Sequence, residues 1–200
     1  SDTLSQLIRT ALVPGKGCTF VDADFSAIEA RLIAWLAGEE WVLDVFRTTG
    51  KIYEATAARI FGVPFDSIVK GNPNYKYRQR GKVATLALGY QGGVGAMKRM
   101  GGDQLGLDDE GLQDIVNRWR RQNPSICKLW RRMQDAAVHT IRTGKTTQPR
   151  AGLIFRKEVS PGFPFPFLTM QLPSGRKLFY ADPGTTPDDR ITYKEWDTGS

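Results

Sequence analysis

TFVDADFSAIEAR, residues 19–31, predicts a strand that turns directly into a helix. Its first half, Thr19–Phe25, combines β-branched and aromatic residues after a glycine turn, which is typical of a strand. Ser26 is followed three residues later by Glu29, as a capping box at a helix N-terminus requires. The helical pattern that follows ends at Gly38. These residues therefore predict a strand, a tight turn and a helix in that order.

Asp24 falls at the predicted end of that strand, beside the turn into the helix. The strand would hold its carboxylate rigidly and the turn would leave it open to solvent, so it could reach a metal ion. The simpler interpretation is structural: Asp24 ends a strand and Glu29 completes a helix cap.

The rest of the chain divides into a helical part and a β-rich part. Helical patterns bounded by glycine and proline predict helices over residues 41–46, 51–61, 75–90, 94–100, 110–121 and 124–141. After Gly144 the composition changes, and apolar runs between turn signals predict strands or hairpins from residue 151 to residue 180. A strand, then many helices, then strands indicates the α+β class.

Composition narrows the class of partner only modestly. The 200 residues carry 28 Lys and Arg against 21 Asp and Glu, a net charge of +7, which favours polyanions and nucleic acid first. Cys18 and Cys127 are far apart and the chain has one histidine, so we expect neither a zinc site nor a disulfide framework. No apolar run is long enough to span a bilayer and no signal peptide is visible, so the predicted location is cytoplasmic.

Four residues spaced by four form a second candidate site: Arg78, Lys82, Leu86 and Tyr90. At 3.6 residues per turn they make a slanting stripe along one helix, cationic at its start and aromatic at its end. Residues 70–82 hold five cations and no acid. Such a helix can hold a triphosphate while Tyr90 meets a sugar or base. The alternative is a solvated cationic face on a helix that must also pack.

A later series of cations has two equally weighted interpretations. These side chains could follow a nucleic-acid backbone, because phosphate contacts come mainly from such cations. They could equally form a solvated helix face. The series is Arg118, Arg120, Arg121, Lys128, Arg131 and Arg132.

Residues 21–31 resemble motif A of the family A DNA polymerases, and residues 78–90 resemble motif B. The stretch between them, residues 50–64, also resembles that family, and the likeness runs from about residue 19 to residue 180, closer to phage-encoded members than to the cellular repair enzyme. The resemblance implies helical fingers inserted between β elements of a partial palm. It divides the chain into 1–40 (palm, with motif A), 41–145 (fingers, with motif B) and 146–200 (a β-rich return to the palm).

The resemblance also implies roles for individual residues in template-directed DNA synthesis. Asp24 and the Phe25 carbonyl would bind two catalytic Mg²⁺ ions, and closure of the fingers would complete a site for phosphoryl transfer. The partners would be primer–template DNA and deoxynucleoside triphosphates. Arg78 and Lys82 would bind the phosphates of the nucleotide, and Lys82 would also be catalytic. Tyr90 would lie by the base pair, and Glu29 would act as a steric gate against a 2′-hydroxyl. Leu86 would lie at the sugar and Tyr53 near the phosphates. Arg176 and Lys177 resemble a segment near the primer–template.

Three departures from the family pattern affect these expectations. Leu86 replaces an aromatic residue that contacts the sugar, and Tyr53 replaces a histidine near the phosphates. A second catalytic aspartate is expected after a histidine, but His139 is followed by Thr140. We therefore expect the chain to stop before that motif and to extend primers poorly or not at all alone.

Two other functions remain open from the residues themselves. A single-subunit RNA polymerase has similar Lys and Tyr-Gly spacing in motif B, although Glu29 argues against an enzyme that must admit a 2′-hydroxyl. A non-catalytic, basic helical module, such as a prophage remnant, would bind DNA in a salt-dependent way without any dependence on Lys82.

Overall fold

The computed structural model of the chain describes residues 7–8, 10–150 and 152–195. The first expected part begins at residue 1 and the last ends at residue 200, and both of these ends lie outside the described residues. The helices are α1 Ile28–Ala37, α2 Glu40–Thr48, α3 Ile52–Phe61, α4 Lys76–Leu88, α5 Val94–Arg99, α6 Asp109–Gln122 and α7 Pro124–Thr143. Short 3-10 helices lie at Phe65–Ser67, Pro73–Tyr75 and Gly102–Leu105. The strands are β1 Thr147–Arg150, β2 Leu153–Glu158, β3 Phe167–Gln171, β4 Lys177–Thr185 and β5 Ile191–Lys194.

The helices predicted from periodicity are confirmed, with each end within two residues of its expected position. Their termini follow local chemistry. Gly38 ends α1 in the left-handed region, at φ 70°, where its N–H donates to the carbonyls of Ala34 and Trp35. Asp108 caps α6 by accepting a hydrogen bond from the Gly111 N–H at 2.8 Å.

The predicted strand over Thr19–Phe25 is wrong. These residues have no regular secondary structure, and Phe20, Val21 and Phe25 are exposed. Hydrogen bonds to a neighbouring strand stabilise a strand, and the sheet of the described chain is built entirely from residues 147–194. The β element expected ahead of the helices is therefore absent from the described residues.

The predicted capping box at Ser26 is also wrong. The N-cap of α1 is Ala27, which has φ 51° and makes no side-chain capping bond. A left-handed conformation costs a non-glycine residue about 1 kcal/mol or more. Arg31 instead donates from Nε to the Ser26 carbonyl at 2.9 Å, which ties the turn to the helix.

One hydrophobic core joins α1 to the later helices. Trp119 is 4% exposed and stacks on Trp130 with ring centres 6.0 Å apart. The buried Glu39, which follows α1, caps α7 by accepting from the N–H groups of Ser125 and Ile126 at 2.8 and 3.2 Å. Buried members of this core include Ala37, Val83, Leu88, Met97, Leu112, Ile115, Val116, Ile126 and Leu129. Helix α1 is thus held against the helices that follow it. The expected boundary at residue 40, between palm and fingers, stays a prediction.

Gly81 allows α3 and α4 to cross at close range. A β-carbon at this position would lie 2.2 Å from the Tyr53 carbonyl oxygen and 2.9 Å from the Ala57 β-carbon. Only glycine therefore fits this crossing without moving a backbone. The contact brings the Arg78–Lys82 turn of α4 beside the first turn of α3.

The strands predicted between residues 151 and 180 are confirmed, and the sheet extends beyond that range. In the described chain its strands form an antiparallel sheet in the order β1-β2-β3-β4-β5, so β1 and β5 extend beyond the expected range of 151–180. Ala137 and Ile141 of α7 pack against Phe155 and Leu168 on the sheet. The chain is thus mixed helix and strand, compatible with the α+β class, with helices and sheet joined along α7. No helix in the described ranges is long and apolar enough to cross a membrane.

Candidate functional site

A cavity of about 160 Å³ lies where α1 meets the end of α4. Glu29, Ala30 and Ile33 line it from α1, and Leu86 and Tyr90 line it from α4 and the residues that follow. The structure therefore brings together three of the residues that the sequence singled out, although 57 positions or more separate Glu29 from the other two. The walls are mainly apolar and Glu29 is their acidic member.

Tyr90 feels both the cavity and the acid. Partial loss of hydration raises the pKa of its phenol, and the negative charge of Glu29 raises that pKa further. Tyr90 as a whole remains 71% exposed. Tyr90 and Glu29 thus form a polar rim on an apolar cavity, an arrangement suited to a ligand with one flat apolar part and one polar part.

Arg78 is already held by an acid that the sequence did not indicate. Its Nε donates to Glu54 Oε1 at 2.7 Å, and the side chains are 34% and 14% exposed. The hydrogen bond to Glu54 is the main cause that raises the pKa of Arg78. Its guanidinium carbon also lies 5.7 Å from the centre of the Tyr53 ring. Since Glu54 is on α3 and Arg78 is on α4, no local spacing could have revealed the pair.

The orientation of Arg78 leaves part of its guanidinium available. Nε donates to Glu54, and within the described residues the two η nitrogens donate no hydrogen bond. Lys82, one turn further along α4, is half-buried and has no ion pair or hydrogen bond from the described chain. Helix α4 therefore presents the oriented guanidinium of Arg78 and the unpaired ammonium of Lys82 on one stripe. The same stripe continues to Leu86 and Tyr90, which line the cavity.

Asp24 and Phe25 precede Ala27, which lines this cavity, but they are not part of its lining. Both are exposed, in the irregular segment before α1, and neither lines the cavity. Among the described residues no group of three or more His, Cys, Asp or Glu side chains could hold a metal ion. Magnesium is usually held by one or two carboxylates together with waters and substrate phosphates, so Asp24 and the Phe25 carbonyl could supply only part of the coordination of two ions. The described residues therefore do not by themselves fit the implied pair of Mg²⁺ ions.

Lys177 begins β4, Arg176 directly precedes it, and neither residue lines the cavity. Lys177 Nζ contacts Glu158 Oε1 at 2.7 Å, and this hydrogen bond is the main cause that lowers the pKa of Glu158. Arg176 is exposed in the turn before β4. Lys177 thus has an acidic partner within the fold, and a contact of either residue with DNA stays a prediction.

A family model describing DNA polymerase family A matches residues 1–154. The chain belongs to DNA polymerase family A. Over 188 residues it is 51% identical to the DNA polymerase of Bacillus phage SP02, covering 94% of this chain and 28% of that protein. It is 31% identical over 131 residues to DNA polymerase I of Pseudomonas aeruginosa, covering 66% of this chain and 13% of that protein.

Membership of family A confirms the resemblance that was based on residues 21–31 and 78–90. The thermostable DNA polymerase I of Thermus aquaticus is 29% identical over 127 residues, covering 64% of this chain and 14% of that protein. This family A chain therefore spans less than a third of the length of each relative named here. The roles of its individual residues, and its cytoplasmic location, stay predictions.

Proposed function

We propose that this chain forms the nucleotide-selecting part of a DNA polymerase that transfers deoxynucleotides to a primer 3′-hydroxyl under the direction of a template. One observation carries the proposal: in a member of family A, Glu29, Leu86 and Tyr90 line one cavity beside the cationic turn of α4. Primer–template DNA and deoxynucleoside triphosphates are its proposed partners. The alternative of an RNA polymerase has less support, because the relatives are named DNA polymerases.

The proposed contacts follow from the charges along α4. The η nitrogens of Arg78 and the ammonium of Lys82 would bind the triphosphate, where charge-assisted hydrogen bonds are the strong ones. Lys82 would also offset negative charge as the phosphoryl group transfers. Tyr53, beneath Arg78, would complete the phosphate end of the site.

The apolar cavity would receive the sugar and the edge of the base. Tyr90 would lie against the nascent base pair, and Leu86 would contact the sugar through apolar surface alone. Glu29, on the same cavity wall, would crowd a 2′-hydroxyl and favour deoxynucleotides. Replacing Glu29 with alanine in the longer polymerase should therefore narrow the preference for deoxynucleotides over ribonucleotides, and an unchanged preference would argue against this role.

We place the chemical step in a longer protein. Two Mg²⁺ ions are proposed for the complete enzyme, with Asp24 supplying one carboxylate and Phe25 one carbonyl, as family A membership suggests. Further carboxylates would have to come from outside the described residues. The isolated chain should consequently bind nucleotide but extend primers poorly or not at all.

Nucleotide binding by the chain tests the site directly. A fluorescent deoxynucleoside triphosphate is titrated with wild type, Lys82→Ala and Arg78→Ala, and anisotropy is recorded. Loss of one charged hydrogen bond should weaken binding about tenfold or more. Lys98→Ala is the matched control, because Lys98 is paired with Asp109 at 2.6 Å and lies outside the cavity. Equal binding by wild type and Lys82→Ala would contradict the proposal and favour a non-catalytic DNA-binding module.

A further inference from the structure

A second concavity, of about 350 Å³, lies where the end of α1 meets the first turns of α7. It shares no lining residue with the cavity of Glu29 and Tyr90. Ala37 and Ser125 line it together with Lys128, Arg131 and Arg132. Positions 128, 131 and 132 are spaced i, i+3 and i+4, so the three cations share one helix face.

Lys128, Arg131 and Arg132 make no stabilising contact within the described chain. Each is exposed, and none makes an ion pair, a hydrogen bond or a cation–π contact with another described residue. Two other cations of the same series are engaged: Arg118 pairs with Asp114 at 2.7 Å, and Arg120 donates to a carbonyl oxygen at 3.1 Å. The fold therefore engages two members of the series, places three at a shared concavity and leaves Arg121 exposed outside that concavity.

Two acids at or on α7, Glu39 and Asp135, form no ion pair with these cations. Glu39 lies under the same end of α7, but its Oε2 accepts from the backbone N–H groups of Ser125 and Ile126. Asp135, the next acid along α7, lines a separate concavity with His139 and Arg142. Lys128, Arg131 and Arg132 thus form a positive surface without a direct acidic partner, which fits a polyanion.

We propose that this concavity binds the phosphate backbone of single-stranded DNA, as a contact separate from the nucleotide site. None of the described aromatic side chains lines it, so among these residues it has no platform for stacking a base and would contact phosphates without regard to sequence. Phosphates of a duplex lie on a convex cylinder, whereas a flexible single strand can follow a concave wall. The net charge of +7 supports a nucleic-acid partner over an acidic protein.

The test measures binding of a labelled single-stranded oligonucleotide to the whole chain by anisotropy over a series of salt concentrations. The variant changes Lys128, Arg131 and Arg132 to glutamine, which removes charge and keeps most of each side chain. Binding should weaken about tenfold or more, and the slope of log affinity against log salt should become shallower by about 2, since each single-strand phosphate contact contributes about 0.7. Nucleotide binding should be unchanged.

A control variant removes the same charge elsewhere. Arg47, Lys98 and Arg190 are each paired with surface acids, and all three become glutamine. If both triple variants lose equal affinity, only net charge matters and the proposal is overturned. The proposal is also overturned if the concavity variant binds the single strand as tightly as wild type. A duplex that binds wild type as tightly, and loses the same affinity in the concavity variant, would overturn it as well. So would displacement of the single strand by polyglutamate at an equal concentration of charges. Circular dichroism and thermal melting verify that both variants fold.

Discussion

Replacing Glu54 with alanine tests whether the ion pair with Arg78 organises the candidate site before any ligand binds. The pair is intermediate between two regimes: its acid is 14% exposed and its base 34% exposed. A fully exposed pair contributes about 0–1 kcal/mol, whereas a hydrogen bond to a charged group contributes about 1.5–3 kcal/mol. Discounting the upper range for solvent at Arg78 gives an expected coupling of about 1–2 kcal/mol. That loss corresponds to a fall in melting temperature of about 2–8 °C for a chain of this size.

A double-mutant cycle isolates this coupling. Urea unfolding is measured for wild type, Glu54→Ala, Arg78→Ala and the double variant. The comparison cycle uses Arg47 and Asp44, which form a similarly short pair at 2.6 Å but are 60% and 65% exposed, so their coupling should be clearly smaller than that of Arg78 and Glu54. Equal couplings in the two cycles would refute the reasoning, because burial would then have no effect on the strength of the pair.

Three further perturbations have expected signs. Gly81→Ala should destabilise the chain by about 2 kcal/mol or more, because the new β-carbon would lie 2.2 Å from a backbone oxygen. Its control, Gly95→Ala, has nothing nearer than 3.9 Å and should be neutral or stabilising by up to about 1 kcal/mol. Thermal melting compares the two variants, and equal losses of stability would contradict the close crossing of α3 and α4. Glu39→Ala should lower the free energy of unfolding by about 1–3 kcal/mol, because α7 loses its cap. The control, Glu40→Ala, removes an exposed side chain and should have a small effect. Urea unfolding measures both variants, and similar small losses would show that the cap is dispensable. Because its lysine partner lowers the pKa of Glu158 below the ordinary value of 4.5, stability from this pair should be complete above that value and lost as pH falls through the folded pKa. Glu158→Gln should therefore be less stable than wild type at about pH 6, and the difference should shrink as pH is lowered below 4.5. A difference that stays constant as pH falls would contradict the assignment.

The sequence by itself determined most of the helical framework and the family. Periodicity, a glycine C-cap at Gly38 and a proline start at Pro124 are local signals, so they predicted helices close to their observed ends. The spacing of Arg78, Lys82, Leu86 and Tyr90 is local as well, because residues four apart on a helix share one face. Family A membership followed from residues 21–31 and 78–90, which needed no tertiary structure.

Tertiary structure alone decided what depends on residues distant in the chain. Thr19–Phe25 has the composition of a strand, but a strand needs a partner and the described residues supply none. Glu54 orients Arg78, and Glu158 engages Lys177, through contacts between separate elements. The cation series of α6 and α7 also looked uniform along the sequence. Tertiary packing gave Arg118 and Arg120 carbonyl partners from distant segments and placed Lys128, Arg131 and Arg132 at a concavity between α1 and α7. The position of a charge relative to other helices is not encoded in its local spacing.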